Sequence, residues 1–147
     1  MKKIILQGIP FDEKSSYLKG ANLAPPIIRE KFWCKSSNTF SEGHIDIGKY
    51  IDDVGDKKIN DYFEIEKITL DHLTENNRIL TLGGDHSITY PIIKAYCKFY
   101  DSFDILHFDA HPDLYEELDN DKYSHACPFA RIMEKKLIDQ LIQVGIR

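Results

Sequence analysis

Short apolar runs alternate with amphipathic stretches along the chain. The runs at 2–8, 45–51, 78–82, 103–108 and 141–146 are rich in isoleucine, leucine and phenylalanine and predict strands. The stretches at 25–34, 60–76 and 88–100, and one that begins at Pro128, predict helices. The predicted strands are apolar throughout rather than at alternate positions, which is typical of strands covered on both faces. The pattern therefore predicts an α/β fold with a mainly parallel sheet flanked by helices.

The composition is that of a globular domain and excludes several classes of protein. With 147 residues, of which 42% are hydrophobic and 29% charged, we expect a single domain over residues 1–147. A net charge of −5 provides no basic surface for nucleic acid. No apolar run approaches the roughly 20 residues of a membrane span, and the run after Met1-Lys2-Lys3 is too short for a secretory leader. We therefore expect a cytoplasmic protein without nucleic-acid or membrane partners.

The cysteines, Cys34, Cys97 and Cys127, predict neither a disulfide framework nor a zinc knuckle. Their number is odd, and no two of them have the spacing of a Cys-x-x-C pair. We expect all of them to be reduced thiols.

The segment Asp109-Ala110-His111-Pro112-Asp113 directly follows the predicted strand 103–108. Alternate side chains of an extended chain share a face, so Asp109, His111 and Asp113 are expected to point the same way. Two carboxylates around an imidazole suit hard or borderline divalent ions such as Mn²⁺. The alternative is a polar loop whose aspartates cap turns. Alternation of these ligand types after a buried strand favours a metal half-site.

A second polar segment, Gly83-Gly84-Asp85-His86-Ser87, follows the predicted strand 78–82. Paired glycines allow a sharp turn and a close approach of the backbone to a ligand. Because parallel sheets bind ligands at the carboxyl ends of their strands, His86 is expected beside the first segment, with Asp85 a candidate to orient it. Taken alone, the segment favours a strand-to-helix turn capped by Asp85 or Ser87.

The other histidines lie in different contexts. His125 precedes the helix that begins at Pro128, and a loop histidine near a metal can carry a proton at neutral pH. Taken alone, His125 is more simply a solvated loop residue. His107 has the same parity as Asp109 but lies inside an apolar strand, so we interpret it as a core histidine satisfied by a neighbour. The acidic run 116–121 is interpreted as a solvated loop whose charge favours a cationic substrate.

Taken together and in this order, segments 83–87 and 109–113 and Ser124-His125 resemble the motifs of the ureohydrolase family, which includes arginase, agmatinase and formimidoylglutamase. The opening of the chain is similar to the agmatinase branch in Gly8-Ile9-Pro10-Phe11-Asp12, Ser15-Ser16-Tyr17, Gly20, Ala24-Pro25 and Ile28-Arg29-Glu30. The resemblance covers essentially the whole chain. The resemblance favours functional roles for His86 and His125 over the alternatives of a capped turn and a solvated loop residue.

The resemblance implies a three-layer α/β/α fold with a parallel sheet and a binuclear manganese centre. It assigns His86, Asp109 and Asp113 to one Mn²⁺ and His111 to the other, with Asp109 bridging both. His125 would serve proton transfer, and Ala126 stands where many members have glycine. The implied reaction hydrolyses the guanidino group of agmatine, or of a similar linear compound, to urea and an amine. A place in polyamine biosynthesis and a homo-oligomeric state of the complete protein are implied in the same way.

One departure from the family pattern concerns the end of the chain. The family has a further Asp-x-Asp motif and a later glutamate that meets the guanidinium, and neither has a counterpart before Arg147. The chain therefore resembles a truncated, amino-terminal half of a ureohydrolase. It is expected to be inactive alone, because metal affinity depends on ligand number and geometry. The alternatives are a non-catalytic module that binds metal or pairs with a partner, and one half of a split enzyme whose carboxyl-terminal half is a separate chain.

Overall fold

The computed structural model describes residues 3–147, so Lys2 of the predicted strand 2–8 lies outside the described residues. The strands are β1 (Lys3–Ile9), β2 (Ile51–Asp56), β3 (Asn77–Gly83), β4 (Ile105–Phe108) and β5 (Leu141–Val144). The α-helices are α1 (Ala24–Phe32), α2 (Glu64–Leu70), α3 (Thr89–Phe99) and α4 (Pro128–Glu134). Short 3-10 helices cover Ala21–Leu23, Ile47–Tyr50 and His86–Ile88. No helix within residues 3–147 is long and apolar enough to cross a membrane.

The strand pairings are parallel, as predicted, but the strands form two sheets rather than one. β1 lies between β2 and β3 in a three-stranded sheet, and β4 pairs with β5 in a second sheet. The expectation of one sheet containing β1, β3, β4 and β5 is therefore wrong for the described residues. An apolar run identifies a strand, but it does not specify which strand lies beside it.

Helices cover both faces of the three-stranded sheet. On one face lies α1, whose Phe32 lines a small cavity together with Leu6 of β1. On the other face lies α2, to which the sheet is joined by a buried glutamine. The side-chain amide of Gln7 donates hydrogen bonds to the hydroxyls of Thr81, at 2.9 Å, and of Thr69, at 3.4 Å. The predicted three-layer α/β/α arrangement is confirmed.

The hydrophobic core lies between the sheets and helices α2, α3 and α4. Phe129, Ile65 and Ile132 are each at most 1% exposed. Burial of an aliphatic or aromatic side chain of this size stabilises the fold by about 1.5–3 kcal/mol. The buried members of the core are Ile9, Phe11, Tyr62, Ile65, Ile88, Tyr90, Phe129, Ile132 and Ile138.

The later strands expose apolar side chains on one face. β1 is buried from Ile5 onward, as predicted for a strand covered on both faces. In β4, by contrast, Leu106 is 56% exposed and Phe108 is 72% exposed, and Ile142 and Val144 of β5 are also exposed. The expectation of burial on both faces is therefore wrong for β4 and β5. A contiguous apolar surface of this kind is typical of a face that another polypeptide segment covers.

Two elements differ most from their predicted bounds. The predicted strand 45–51 is mostly a 3-10 helix, and β2 begins only at Ile51, where it pairs with Ile4. The helix predicted over 60–76 is shorter, since α2 covers only Glu64–Leu70, and the carboxylate of Glu64 organises a turn that precedes it. That carboxylate accepts hydrogen bonds from the backbone N–H groups of Asn60 and Asp61, at 3.1 and 3.4 Å.

Candidate metal centre

Backbone hydrogen bonds join the ends of β1 and β3 and thereby place His86. The N–H of Gly84 donates to the carbonyl of Ile9 at 3.1 Å, and the N–H of Asp85 donates to the carbonyl of Phe11 at 2.8 Å. A Cβ atom on Gly84 would lie 2.0 Å from the carbonyl oxygen of Phe11, which no side chain can tolerate. The glycine therefore permits a close approach, as expected, but the approach is to the protein's own backbone rather than to a ligand.

Asp85 caps the helical turn that begins at His86, as predicted. Its carboxylate accepts hydrogen bonds from the backbone N–H of Ser87, at 2.9 Å, and from that of Lys14, at 3.0 Å. Asp85 was also expected to orient His86, but it is Thr89 that contacts the His86 ring. The Thr89 hydroxyl lies 3.0 Å from Nδ1 of His86, which leaves Nε2 directed at the end of β4.

The segment after β4 is a folded loop and not an extended chain. The N–H of Asp109 continues the pairing with β5 by donating to the carbonyl of Val144 at 3.1 Å. One oxygen of its carboxylate then accepts the backbone N–H of His111 at 2.8 Å, which turns the chain. Asp113 has a φ of 50°, in the left-handed region that aspartate tolerates better than most residues. The expected period-two alignment of this segment therefore does not apply.

Ligand-type side chains converge where β3 and β4 end. His86, His107, Asp109 and Asp113 each offer one ligand atom within 4.8 Å of the others. Nε2 of His86 lies 3.2 Å from Oδ2 of Asp113, and Nε2 of His107 lies 3.6 Å from Oδ2 of Asp109. Both Nε2 atoms are buried and have no hydrogen-bond partner within the described residues. Because buried polar atoms are normally paired, the unpartnered Nε2 of His86 beside the carboxylates of Asp113 and Asp109 fits a site for a divalent cation.

The electrostatic environment also suits a cation. Burial lowers the pKa of His86 below its usual value, although the charges of Asp113 and Asp109 oppose the shift. Burial raises the pKa of Asp113, with His86 opposing and the charge of Asp109 adding to the shift. The backbone N–H of His111 holds the pKa of Asp109 below its usual value. A neutral imidazole is the form that binds metal, and a bound cation would offset the burial of negative charge.

His111 lies outside this cluster, and its side chain is 71% exposed. Its Nδ1 is 3.4 Å from Oδ1 of Asp109, whereas His107 faces Oδ2 of the same carboxylate. Asp109 therefore presents one oxygen to the cluster and the other to His111. That arrangement is compatible with a carboxylate shared between two ions, and the role of His111 as a ligand stays a prediction.

His125 lies beside a cavity of about 560 Å³ next to the loop after β4. Its Nδ1 is 3.0 Å from the carbonyl oxygen of Lys14. A carbonyl oxygen can only accept, so Nδ1 carries the hydrogen and Nε2 of the neutral ring has a free lone pair. The residues that line the cavity are His111, Pro112, Asp113, Leu114, Tyr115, Leu118, His125 and Ala126.

Sequence reasoning did not identify every residue of the site. His107 is buried, and Gln143 contacts its Nδ1 at 3.1 Å, which agrees with a core histidine satisfied by a neighbour. The Nε2 atom of His107 nevertheless lies in the cluster. The sequence feature that indicated this is the two-residue spacing of His107 and Asp109, which places both on the same face of a strand. Thr89 and Lys14 act through contacts that the folded chain alone creates, so no sequence pattern indicated them.

Comparison with known proteins gives consistent matches over the whole chain. A family model described as the arginase family matches residues 2–147. The mitochondrial arginase of Medicago truncatula is 43% identical over 159 residues, which cover 97% of this chain and 46% of that protein. The N(1)-aminopropylagmatine ureohydrolase of Thermus thermophilus is 32% identical over 151 residues, which cover 99% of this chain and 51% of that protein. The solved structure of the arginase from Medicago truncatula matches with a TM-score of 0.87 at 39% identity, over 99% of this chain and 50% of that chain. The chain spans about half the length of the curated relatives it matches.

The comparisons correct the expected location. Arginases of Medicago truncatula and Arabidopsis thaliana, which are 41–43% identical to this chain, carry names that place them in mitochondria or chloroplasts. The expectation of a cytoplasmic protein is therefore wrong. That expectation was based on the absence of a long apolar run of the kind found in secretory leaders. Organelle-import signals are amphipathic, so a search for apolar runs does not detect them.

Proposed function

This chain belongs to the arginase family, and we propose that it forms the amino-terminal half of a ureohydrolase that cleaves a linear guanidino compound into urea and an amine. The observation that carries the proposal is the convergence of His86, Asp109 and Asp113 at the ends of β3 and β4. Nε2 of His86 is buried there without a hydrogen-bond partner among residues 3–147 and faces a carboxylate, as a metal ligand would.

The proposed centre holds two Mn²⁺ ions in the complete protein. His86, Asp109 and Asp113 would hold one ion, and His111 would contribute to the other, with Asp109 shared between them. Carboxylate oxygens with a minority of imidazole nitrogens suit Mn²⁺. When bound, two such ions lower the pKa of a water molecule, which supplies a hydroxide nucleophile at neutral pH.

His125 is the proposed proton carrier. Because the Lys14 carbonyl holds the hydrogen on Nδ1, Nε2 is free to accept a proton and to pass it to the departing amine. His125 lines the same cavity as Asp113 and His111, so the residue lies beside the space available to a substrate. The role of the ring is therefore to move a proton between the attacking water and the leaving group.

Agmatine is the proposed substrate, with putrescine as the amine product and polyamine biosynthesis as the context. Leu114, Tyr115 and Leu118 give the cavity an apolar wall suited to a chain of methylene groups. No lysine or arginine lies among the described residues that line it, so the cavity offers no permanently charged cation to a carboxylate such as that of arginine. The relatives with about 40% identity are named arginases, which makes arginine the competing substrate.

A second candidate is supported by the exposed apolar face of β4 and β5. Phe108 and Leu106 are more than half exposed, and the relatives are about twice as long as this chain. A separate polypeptide that covers this face would make the chain one half of a split enzyme, or a module that pairs without catalysis. The complete single-chain ureohydrolase is proposed to be a homo-oligomer, whereas a split enzyme would contain two different polypeptides.

The DNA downstream of the codon for Arg147 separates these candidates. An Asp-x-Asp motif in another reading frame would identify a frameshifted fragment, whereas a separate start codon would identify a split enzyme. The completed protein should then release urea from agmatine or arginine in the presence of Mn²⁺, and the Asp109→Ala variant should not. A folded, Mn²⁺-bound complete protein that releases urea from neither substrate would contradict the proposed function.

The isolated chain should release negligible urea with either substrate when Mn²⁺ is added. It lacks counterparts of the later Asp-x-Asp motif, so the second ion has too few ligands. Robust urea release that disappears in Asp109→Ala would contradict this expectation. It would mean that self-association or other residues complete the site.

A further inference from the structure

A line of side-chain contacts runs from β5 to the proposed metal ligands through His107. Gln143 of β5 lies opposite His107 of β4 in the parallel pairing. The side-chain nitrogen of Gln143 donates to the carbonyl of Pro112 at 2.8 Å and lies 3.1 Å from Nδ1 of His107. Gln143 therefore contacts both the loop after β4 and the imidazole on that strand.

These contacts fix which nitrogen of His107 carries the hydrogen. A carbonyl oxygen only accepts hydrogen bonds, so the Gln143 atom that faces Pro112 is the NH₂ group and not the amide oxygen. The same NH₂ group faces Nδ1 of His107, which must then be the accepting nitrogen. The neutral ring therefore carries its hydrogen on Nε2.

That Nε2–H group faces the site. His107 is 8% exposed, and its Nε2 has no hydrogen-bond partner within the described residues. The carboxylate oxygen Oδ2 of Asp109 lies 3.6 Å away. The ring is held between Phe129, at a centroid distance of 4.4 Å, and the parallel ring of His86, at 5.3 Å. A ring nitrogen that carries a hydrogen has no lone pair to donate to a metal ion. Nε2 of His107 therefore lies among the ligand atoms of the cluster but is not itself a ligand in this form.

We propose that His107 is a positioning residue and not a metal ligand. Gln143 holds the ring in its Nε2–H form, and that N–H faces Oδ2 of Asp109 across 3.6 Å, while the backbone N–H of His111 donates to Oδ1 at 2.8 Å. Both oxygens of the carboxylate are then oriented before a cation arrives, as outer-shell partners do in metal sites. The inference rests on the proposed function only in treating Asp109 as a ligand.

Long-range ¹H–¹⁵N NMR of the ¹⁵N-labelled chain tests the assignment directly. The spectra are recorded at about pH 8, above the ordinary histidine pKa of about 6.5, without metal and with Zn²⁺ as a diamagnetic probe. We expect an unprotonated Nδ1 and a protonated Nε2 for His107 in both spectra, whereas the His86 signals change on addition of Zn²⁺. Loss of the Nε2 hydrogen of His107 with Zn²⁺, or an Nδ1–H form in the free protein, would overturn the proposal. If Zn²⁺ left His86 unchanged while His107 kept its Nε2–H form, the proposed function would fail and the assignment would stand.

Substitutions provide a second readout. His107→Gln places an amide N–H near the position of Nε2, so Zn²⁺ affinity should stay within about threefold of the wild type. His107→Leu should lose about 10-fold or more, the range seen when outer-shell partners are removed. Gln143→Leu should produce a mixture of the two His107 tautomers, whereas Gln140→Leu, which changes an exposed glutamine immediately before β5, should not. An equal loss of affinity in His107→Gln and His107→Leu would overturn the positioning role, and the wild-type spectra decide the matter if a variant does not fold.

Discussion

The Nε2 atom of His86 lies 3.2 Å from the Oδ2 atom of Asp113, although the two residues follow strands of different sheets. His86 follows β3 and Asp113 follows β4, so this contact connects the carboxyl ends of both sheets. A cation held between these side chains would connect the sheets more strongly than the imidazole and carboxylate do by themselves. Metal binding and the stability of the fold should therefore be linked.

The first prediction concerns the turn that places His86. Gly84→Ala should lower the free energy of unfolding by about 1–3 kcal/mol, because the new Cβ overlaps the Phe11 backbone and the turn must move. Urea denaturation measures the loss. The matched control is Gly43→Ala, where a Cβ meets only the Ser41 hydroxyl at 3.8 Å, and its change should stay within about 0.5 kcal/mol. Equal free energies of unfolding for the two variants would contradict this prediction, because they would show that a Cβ atom at Gly84 is accommodated beside the Phe11 backbone without loss of stability.

A second prediction concerns the aromatic support of the site. Phe129 is 1% exposed and packs against the rings of His107 and His86, at centroid distances of 4.4 and 5.6 Å. Phe129→Ala should cost about 3–5 kcal/mol, since it leaves a cavity in the core. Thermal and urea denaturation report the loss. Phe108→Ala removes the same side chain from a position that is 72% exposed and should cost far less. A comparable loss in both variants would contradict the assigned core.

The third prediction is a pH dependence that arises away from the site. Glu66 of α2 is buried and pairs with Lys94 and Lys98 of α3, the latter at 2.6 Å. Burial alone would raise the pKa of Glu66, but hydrogen bonds from both lysines outweigh it and hold the pKa below its usual 4.5. A lowered pKa in the folded state contributes stability above the unfolded pKa, and this stability is lost as pH falls through the folded pKa.

Glu66→Gln should therefore be less stable than the wild type by about 1–3 kcal/mol at pH 7, because hydrogen bonds to charged groups are removed. The difference should shrink as pH falls below the usual glutamate value of 4.5. Urea denaturation at a series of pH values measures both quantities. Glu75→Gln, at an exposed position, serves as the control and should show neither effect. A difference that is independent of pH would contradict the charge pairing.

The sequence placed the strand ends well, because a compact apolar run followed by glycine or aspartate has few alternatives to a strand and its exit loop. It therefore located His86 and Asp109 just beyond the carboxyl ends of β3 and β4. It could not orient His111, since the hydrogen bond from the backbone of His111 to Asp109, and the left-handed backbone of Asp113, are not visible in hydropathy. The period-two rule assumes an extended chain, and this loop is not extended.

The arrangement of the sheets was beyond sequence reasoning for a different reason. Phe108 and Leu106 are as apolar as Ile5 and Leu6 of β1, which are buried, yet they are exposed. An apolar residue favours burial but does not specify what covers it. The same limit applies to His107, whose burial was expected from its strand, whereas its contact with Gln143 depends on the register of β4 and β5.

The most direct test of the central claim is a Mn²⁺ titration of the isolated chain, followed by the loss of the free-ion electron paramagnetic resonance signal. The account predicts weak binding of one ion, which Asp109→Ala and His86→Ala should each weaken by more than about 10-fold, the lower range for loss of an outer-shell partner. His111→Ala and His125→Ala should bind as the wild type does, because neither side chain belongs to the cluster. Unchanged Mn²⁺ affinity in Asp109→Ala and His86→Ala, or the absence of any binding by the folded wild-type chain, would contradict the account.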